Sequence, residues 1–152
     1  MISIYYARTA HLPHMPAKDI YHDVVRTALE KDGWAITADP LTLKIGRRSV
    51  LVDLGAEKLL AAERAGRKIA VEIKSFLSPS PIRDLEGALG QFVLYSKILN
   101  QQDPDRTLYL AVSRSVFGDL FSEEVGQLLL NTTDLRLIVF HPQKEEIIQW
   151  IP

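Results

Sequence analysis

The sequence contains no cysteine. That excludes a disulfide framework, a thiolate zinc site and a cysteine nucleophile together. Histidine is scarce: His11, His14, His22 and His141 are scattered, and the first two fall in a segment without periodicity, so no histidine-rich metal site is expected. An excess of one charge is missing too, since 18 Lys and Arg oppose 19 Asp and Glu for a net charge of -1. No global field therefore draws the chain to nucleic acid or to an anionic membrane, and any DNA contact must rest on a local patch or a metal. No apolar run approaches the roughly 20 residues of a membrane helix. The opening MISIYYARTAHLPH has neither a basic start nor a sustained apolar stretch, so it does not read as a signal peptide. The sequon Asn131-Thr132-Thr133 is then without consequence, and a soluble, cytoplasmic protein is expected. Several familiar sites are absent as well: there is no phosphate loop, no G-x-G-x-x-G, no H-E-x-x-H and no G-x-S-x-G.

What is present is ordinary globular material. With 152 residues, 47% apolar and 24% charged, the chain fits one domain. A fold of this size buries roughly 70% of the surface exposed by the unfolded chain, enough for a real core. Residues 1–14 share no pattern with the rest of the chain and are expected to form a flexible tail or an upstream extension before Met15, with a single domain over 15–152. Residues 18–32 predict an amphipathic helix with Ile20, Val24, Thr27, Ala28 and Lys31 near one face, an N-cap oxygen from Lys18-Asp19 and a stop at Gly33. Trp34 to Ile45 predicts strand, broken at Asp39-Pro40; Gly46-Arg47-Arg48 predicts a hairpin turn and Ser49 to Asp53 its returning strand. Residues 56–65 favour helix by propensity. The turn at Gly66-Arg67 and the strand Lys68 to Lys74 instead suggest that LLAAER is a hairpin partner. A long helix is expected over 82–100, a doubly covered strand over Thr107 to Ser113, a third helix over 115–131, and strands over 135–140 and 145–150. This order indicates an α/β fold, a mixed α+β sheet flanked by helices.

One polar cluster interrupts the most apolar strand. Glu72 and Lys74 are two positions apart and so project from the same sheet face, while Ile69, Val71 and Ile73 point to the other. Asp53 ends the strand expected beside them. Two carboxylates at adjacent strand ends make a hard oxygen site suited to Mg²⁺ or Mn²⁺, and a neighbouring lysine can lower the pKa of an attacking water and stabilise developing charge. A cross-strand ion pair on a solvated sheet face is the plainer alternative. Gln91 and Tyr95 are four apart on the next helix and share one face, placed to orient phosphate or water, or merely to satisfy a half-buried helix. His22 on the first helix reads by itself as a packed histidine.

These residues carry a resemblance. Asp53 followed by Glu72-Ile73-Lys74 resembles the D…E-x-K signature of the PD-(D/E)XK nucleases, whose fold is a restriction-endonuclease-like core. Gln91 and Tyr95 resemble the Q-x-x-x-Y helix motif of their RecB-like branch. AKDIYHDVVRTALEKDGW, VDLGAEKLLAAERAGRKIAVEIKSF and LEGALGQFVLYSKIL are similar to the XisH family, the fdxN-element excision controlling factors of cyanobacteria, over about residues 15–152. Val52 stands where the superfamily pattern has proline.

The resemblance implies Asp53 and Glu72 as ligands of Mg²⁺ or Mn²⁺, helped by the Ile73 carbonyl, with His22 completing the shell. Lys74 would activate the water, and Gln91 and Tyr95 would support the phosphate. Lys44, Arg47, Arg48 and Arg83 become candidates for DNA backbone contacts, against the reading of an ordinary solvated turn. The implied activity is metal-dependent phosphodiester hydrolysis in DNA excision by recombination. Partners would be an XisI-like protein, a recombinase, DNA and, given the small surface of one domain, a second copy as a homodimer. The competing reading is a non-catalytic accessory protein that uses the nuclease fold as a binding module, which the near-neutral charge favours. A restriction-like or toxin-like nuclease held in check by a partner is a third.

Overall fold

The structure is a computed structural model and describes residues 18–58 and 66–152. The expected tail over 1–14 lies outside those residues, as do residues 59–65. Helix α1 (His22–Lys31) is followed by β1 (Ala35–Ala38), β2 (Leu41–Ile45), β3 (Arg48–Val52), β4 (Leu54–Lys58) and β5 (Arg67–Ile73). Then come α2 (Pro81–Gln102), β6 (Arg106–Ser113), α3 (Arg114–Asp119), α4 (Glu124–Thr132), β7 (Leu137–His141) and β8 (Glu146–Ile151). Among the described residues no helix is long and apolar enough to cross a membrane.

Six strands form one mixed sheet in the order β1-β4-β5-β6-β7-β8. The inner strands β5, β6 and β7 run parallel, whereas β1, β4 and β8 pair antiparallel at the flanks. Strands β2 and β3 make a separate antiparallel ribbon. The expected mixed sheet with flanking helices is therefore what the chain builds. From Leu108 to Ser113 every residue of β6 is buried, as a strand between parallel neighbours and under helices on both faces requires.

The alternation of β5 divides the core. Ile69, Val71 and Ile73 pack with Val25 and Leu29 of α1. Ala70 joins the other layer, with Leu85, Ala88, Phe92 and Tyr95 of α2 and with Leu43 and Val52 of the ribbon. Helix α2 begins at Ser80, whose side chain accepts from the Arg83 N–H at 3.3 Å, with Pro81 in the first turn. Helix α1 stops at Gly33, where φ is +90° and the Trp34 N–H returns to the Leu29 carbonyl at 3.0 Å.

Four local expectations need correction. The inner face of α1 carries His22, Val25, Ala28 and Leu29, with Val24 half-buried against the same core, whereas Ile20 and Lys31 are exposed. Packing against β1 and β8 rotates the stripe by one position. Asp19 does not cap α1 directly: its carboxylate accepts from the Tyr21 and Ser75 N–H groups at 2.9 and 3.0 Å. The hairpin partner of β5 is Leu54–Lys58, which lies before LLAAER, and all of that segment is outside the described residues. The strand containing Ser49 pairs with β2 and leaves the main sheet, so β4, not β3, is the neighbour of β5.

The expected third helix is also divided. The Ser122 hydroxyl donates back to the Gly118 and Asp119 carbonyls, and Gln127 Nε2 donates to the Phe121 carbonyl at 2.6 Å. Together they fold the chain over between α3 and α4. A Cβ at Gly126 would overlap the Phe121 Cα and the Leu120 carbonyl, so only glycine permits that closeness.

Candidate functional site

Asp53 occupies the single position between β3 and β4, where the chain leaves the ribbon and enters the sheet. That corner turns its carboxylate onto β5: Oδ2 accepts from the Ile73 N–H at 2.7 Å. Ile73 ends β5, where the ladder to β4 has stopped at Leu54 opposite Val71, so its N–H would otherwise lack a partner on that side. Glu72 lies beside it, 5% exposed, on the sheet face covered by α2.

The carboxylates interact strongly. Burial, and then the adjoining Asp53 carboxylate, push the Glu72 carboxyl up to about 9, against a downward pull from Lys74. At neutral pH Glu72 therefore holds a proton when no cation compensates the pair. Such a pair has the donor chemistry that a hard divalent cation satisfies. Across the gap, burial and then the charges of Glu72 and Asp53 raise the Tyr95 hydroxyl, while Gln91 lowers it. Gln91 Oε1 is buried with no hydrogen-bond partner among the described residues. Lys74 continues the line just past β5, its N–H bonded to the Ala111 carbonyl at 3.1 Å.

Asp53, Glu72, Lys74, Gln91 and Tyr95 are thus brought together by β5, the β3–β4 corner and α2. His22 is not brought to them. Its Nε2 is 2.7 Å from Asp39 Oδ1 at the β1–β2 junction, and Arg26 Nη1 meets the other Asp39 oxygen at 2.5 Å. Among the described residues no three His, Asp or Glu side chains converge as a metal cluster, and the carboxylates at this site are two. Lys44, Arg47 and Arg48 are exposed at the ribbon end, whereas Arg83 is exposed on the first turn of α2.

Arg83 shares a cavity of about 530 Å³ with Lys74 and Gln91. Asp19, Ser75, Phe76, Leu77, Ser78 and Asp84 also line it. Sequence reasoning missed this cavity and the part of Asp19 in tying the start of α1 to the Ser75 loop. The signal available was the position of Ser78-Pro79-Ser80-Pro81 directly after the E-x-K strand.

A family model described as XisH protein matches residues 15–148. The chain is similar to a crystal structure of an XisH family protein from Nostoc punctiforme PCC 73102. Identity is 39%, the TM-score is 0.79, and the match covers 88% of this chain and 100% of that one. It is equally similar to the structure of an fdxN element excision controlling factor protein from Anabaena variabilis, at 40% identity and a TM-score of 0.79, covering 89% of this chain and 100% of that one. No curated protein matches the sequence. A family model spanning nearly all of the described residues, and two structures matched over their full length, agree: the chain belongs to the XisH family.

Proposed function

We propose that this protein acts in the excision of a DNA element and that Asp53, Glu72 and Lys74 form a metal-dependent phosphodiester-cleaving site on a restriction-endonuclease-like core. The observation that carries it is the pairing of the half-buried Asp53 carboxylate with the buried Glu72, which is pushed up to about 9, with Lys74 beside it. Holding a buried carboxyl against a second carboxylate is costly, and a purely structural sheet face gives no reason to pair them. The excision role is supported by the similar Anabaena variabilis protein, an fdxN element excision controlling factor.

Asp53 Oδ1, a Glu72 oxygen and the Ile73 carbonyl would hold Mg²⁺ or Mn²⁺, which supplies Lewis-acid stabilisation and a more acidic water. Asp53 keeps its other oxygen on the Ile73 N–H, which fixes the carboxylate in place. Lys74 orients the attacking water and stabilises negative charge on the phosphate. Gln91 and Tyr95 hold the phosphate from the α2 side, with Arg83 at the rim. An XisI-like protein and a recombinase are the partners proposed, with a homodimer to widen the DNA-binding surface.

The accessory reading has its own support: the net charge of -1 and the presence of only two carboxylates at the site. Calorimetric titration with Mn²⁺ separates the two. The nuclease reading expects one site in the wild type and none in Asp53→Ala or Glu72→Ala; a folded wild type that takes up no Mn²⁺, with or without DNA, supports the accessory role.

A further inference from the structure

The cavity beside Lys74 has features that metal and water chemistry leave unused. It lies between the loop after β5 and the first turns of α2, and its volume of about 530 Å³ falls within the range, roughly 300–1,000 Å³, of sites that enclose a small ligand. Its two carboxylates are already engaged by backbone. Asp19 accepts from the Tyr21 and Ser75 N–H groups, and Asp84 Oδ2 accepts from the Ser78 N–H at 3.2 Å. Neither Lys74 nor Arg83 joins an ion pair among the described residues. The cavity therefore offers cationic donors, Lys74 and Arg83, beside the apolar side chains of Phe76 and Leu77. A bare phosphate satisfies only the former. A nucleotide satisfies both, its phosphate meeting the cations and its base lying against the apolar side chains.

The lip is apolar. Leu77, which lines the cavity, is 64% exposed just before the Ser78-Pro79-Ser80-Pro81 turn. Phe76 is held at φ +55°, a conformation disfavoured for an aromatic residue, and Ser78 and Ser80 bond to each other across the turn. Apolar side chains inserted between base steps are a means by which proteins unstack them. Gly87 stands at the cavity wall, inside a helix, where glycine is disfavoured. A Cβ there would meet nothing within 4 Å, so no packing within the described protein demands glycine; a longer side chain would instead fill the opening.

We propose that this cavity seats one unstacked nucleotide next to the scissile phosphate, so that the preferred substrate is DNA with an unpaired position, not continuous duplex. The proposal rests on the reading of Asp53, Glu72 and Lys74 as a DNA site.

The test compares binding, by fluorescence anisotropy at one fixed salt concentration with Ca²⁺ in place of Mg²⁺. The probes are a short duplex with one central unpaired nucleotide and its fully paired counterpart. The wild type is expected to bind the former about tenfold more tightly, because the unstacking is already done. Gly87→Leu, which is a better helix former, abolishes that preference, whereas Gly90→Leu, equally open on the same helix but outside the cavity, keeps it. Equal wild-type affinity for both probes overturns the nucleotide seat, and Mn²⁺-dependent cutting of the paired duplex would then show that the phosphodiesterase reading survives alone. No affinity for either probe overturns both. Loss of a protein partner in Gly87→Leu, with the DNA preference intact, overturns the proposal and assigns the cavity to protein.

Discussion

Asp53 Oδ2 accepts the Ile73 N–H at 2.7 Å, so one carboxylate at once closes the end of β5 and stands against Glu72. Its two oxygens thus have separable duties. Asp53→Ala leaves the Ile73 N–H without its charged acceptor and is expected to cost about 2 kcal/mol of stability in urea denaturation. Asp53→Asn keeps an acceptor and removes the repulsion on Glu72, so its stability stays near wild type while Mn²⁺ binding is lost.

Glu72 sets a pH dependence of definite sign. Its folded value of about 9 lies above its ordinary 4.5. The protonated carboxyl is favoured by folding, so its stabilising contribution is full below pH 4.5 and is lost as pH rises through about 9. In metal-free buffer the melting temperature of Glu72→Gln should match wild type below pH 4.5 and exceed it increasingly as pH rises from 4.5 to about 9. Parallel pH curves for the two proteins would contradict this account.

Asp39 behaves oppositely. Burial would raise its carboxyl, but the hydrogen bonds from Arg26 and His22 outweigh it and hold it below the ordinary 3.8. This stabilisation is present above pH 3.8 and is lost as pH falls through the lower folded value. Asp39→Ala, which also strands the buried His22, is expected to cost about 2 kcal/mol at pH 7 and progressively less in acid, measured by urea unfolding at both pH values.

Two glycines provide a packing contrast. Gly126→Ala forces a Cβ against the Phe121 backbone, and is expected to cost about 2 kcal/mol or more. Gly90→Ala meets nothing and is expected to stabilise the long helix α2 by about 1 kcal/mol. Thermal melts of the two variants check both signs.

The parts of this fold that are legible in the sequence are those set by neighbours along the chain. Gly33 stops a helix, Asp39-Pro40 separates two strands, and the period of two puts Glu72 and Lys74 on one face under Gln91 and Tyr95. What escapes is set by partners distant in sequence. The orientation of α1 depends on packing against β8, far along the chain. The ribbon leaves the sheet at Asp53, and the strand Leu54–Lys58 that follows overlaps residues whose propensity favours helix. His22 goes to Asp39, a partner with no motif to mark it. The cavity has no sequence signature because it belongs to the gap between a loop and a helix.

The central claim is that the Asp53–Glu72 pair and Lys74 cut DNA. The most direct measurement is cleavage of supercoiled, linear and branched DNA with Mg²⁺ or Mn²⁺, with and without an XisI-like partner, by wild type, Glu72→Ala and Lys74→Ala. The account predicts metal-dependent cutting by the wild type that disappears in both variants. Intact DNA under every condition, from a folded protein that binds its partner, would contradict it.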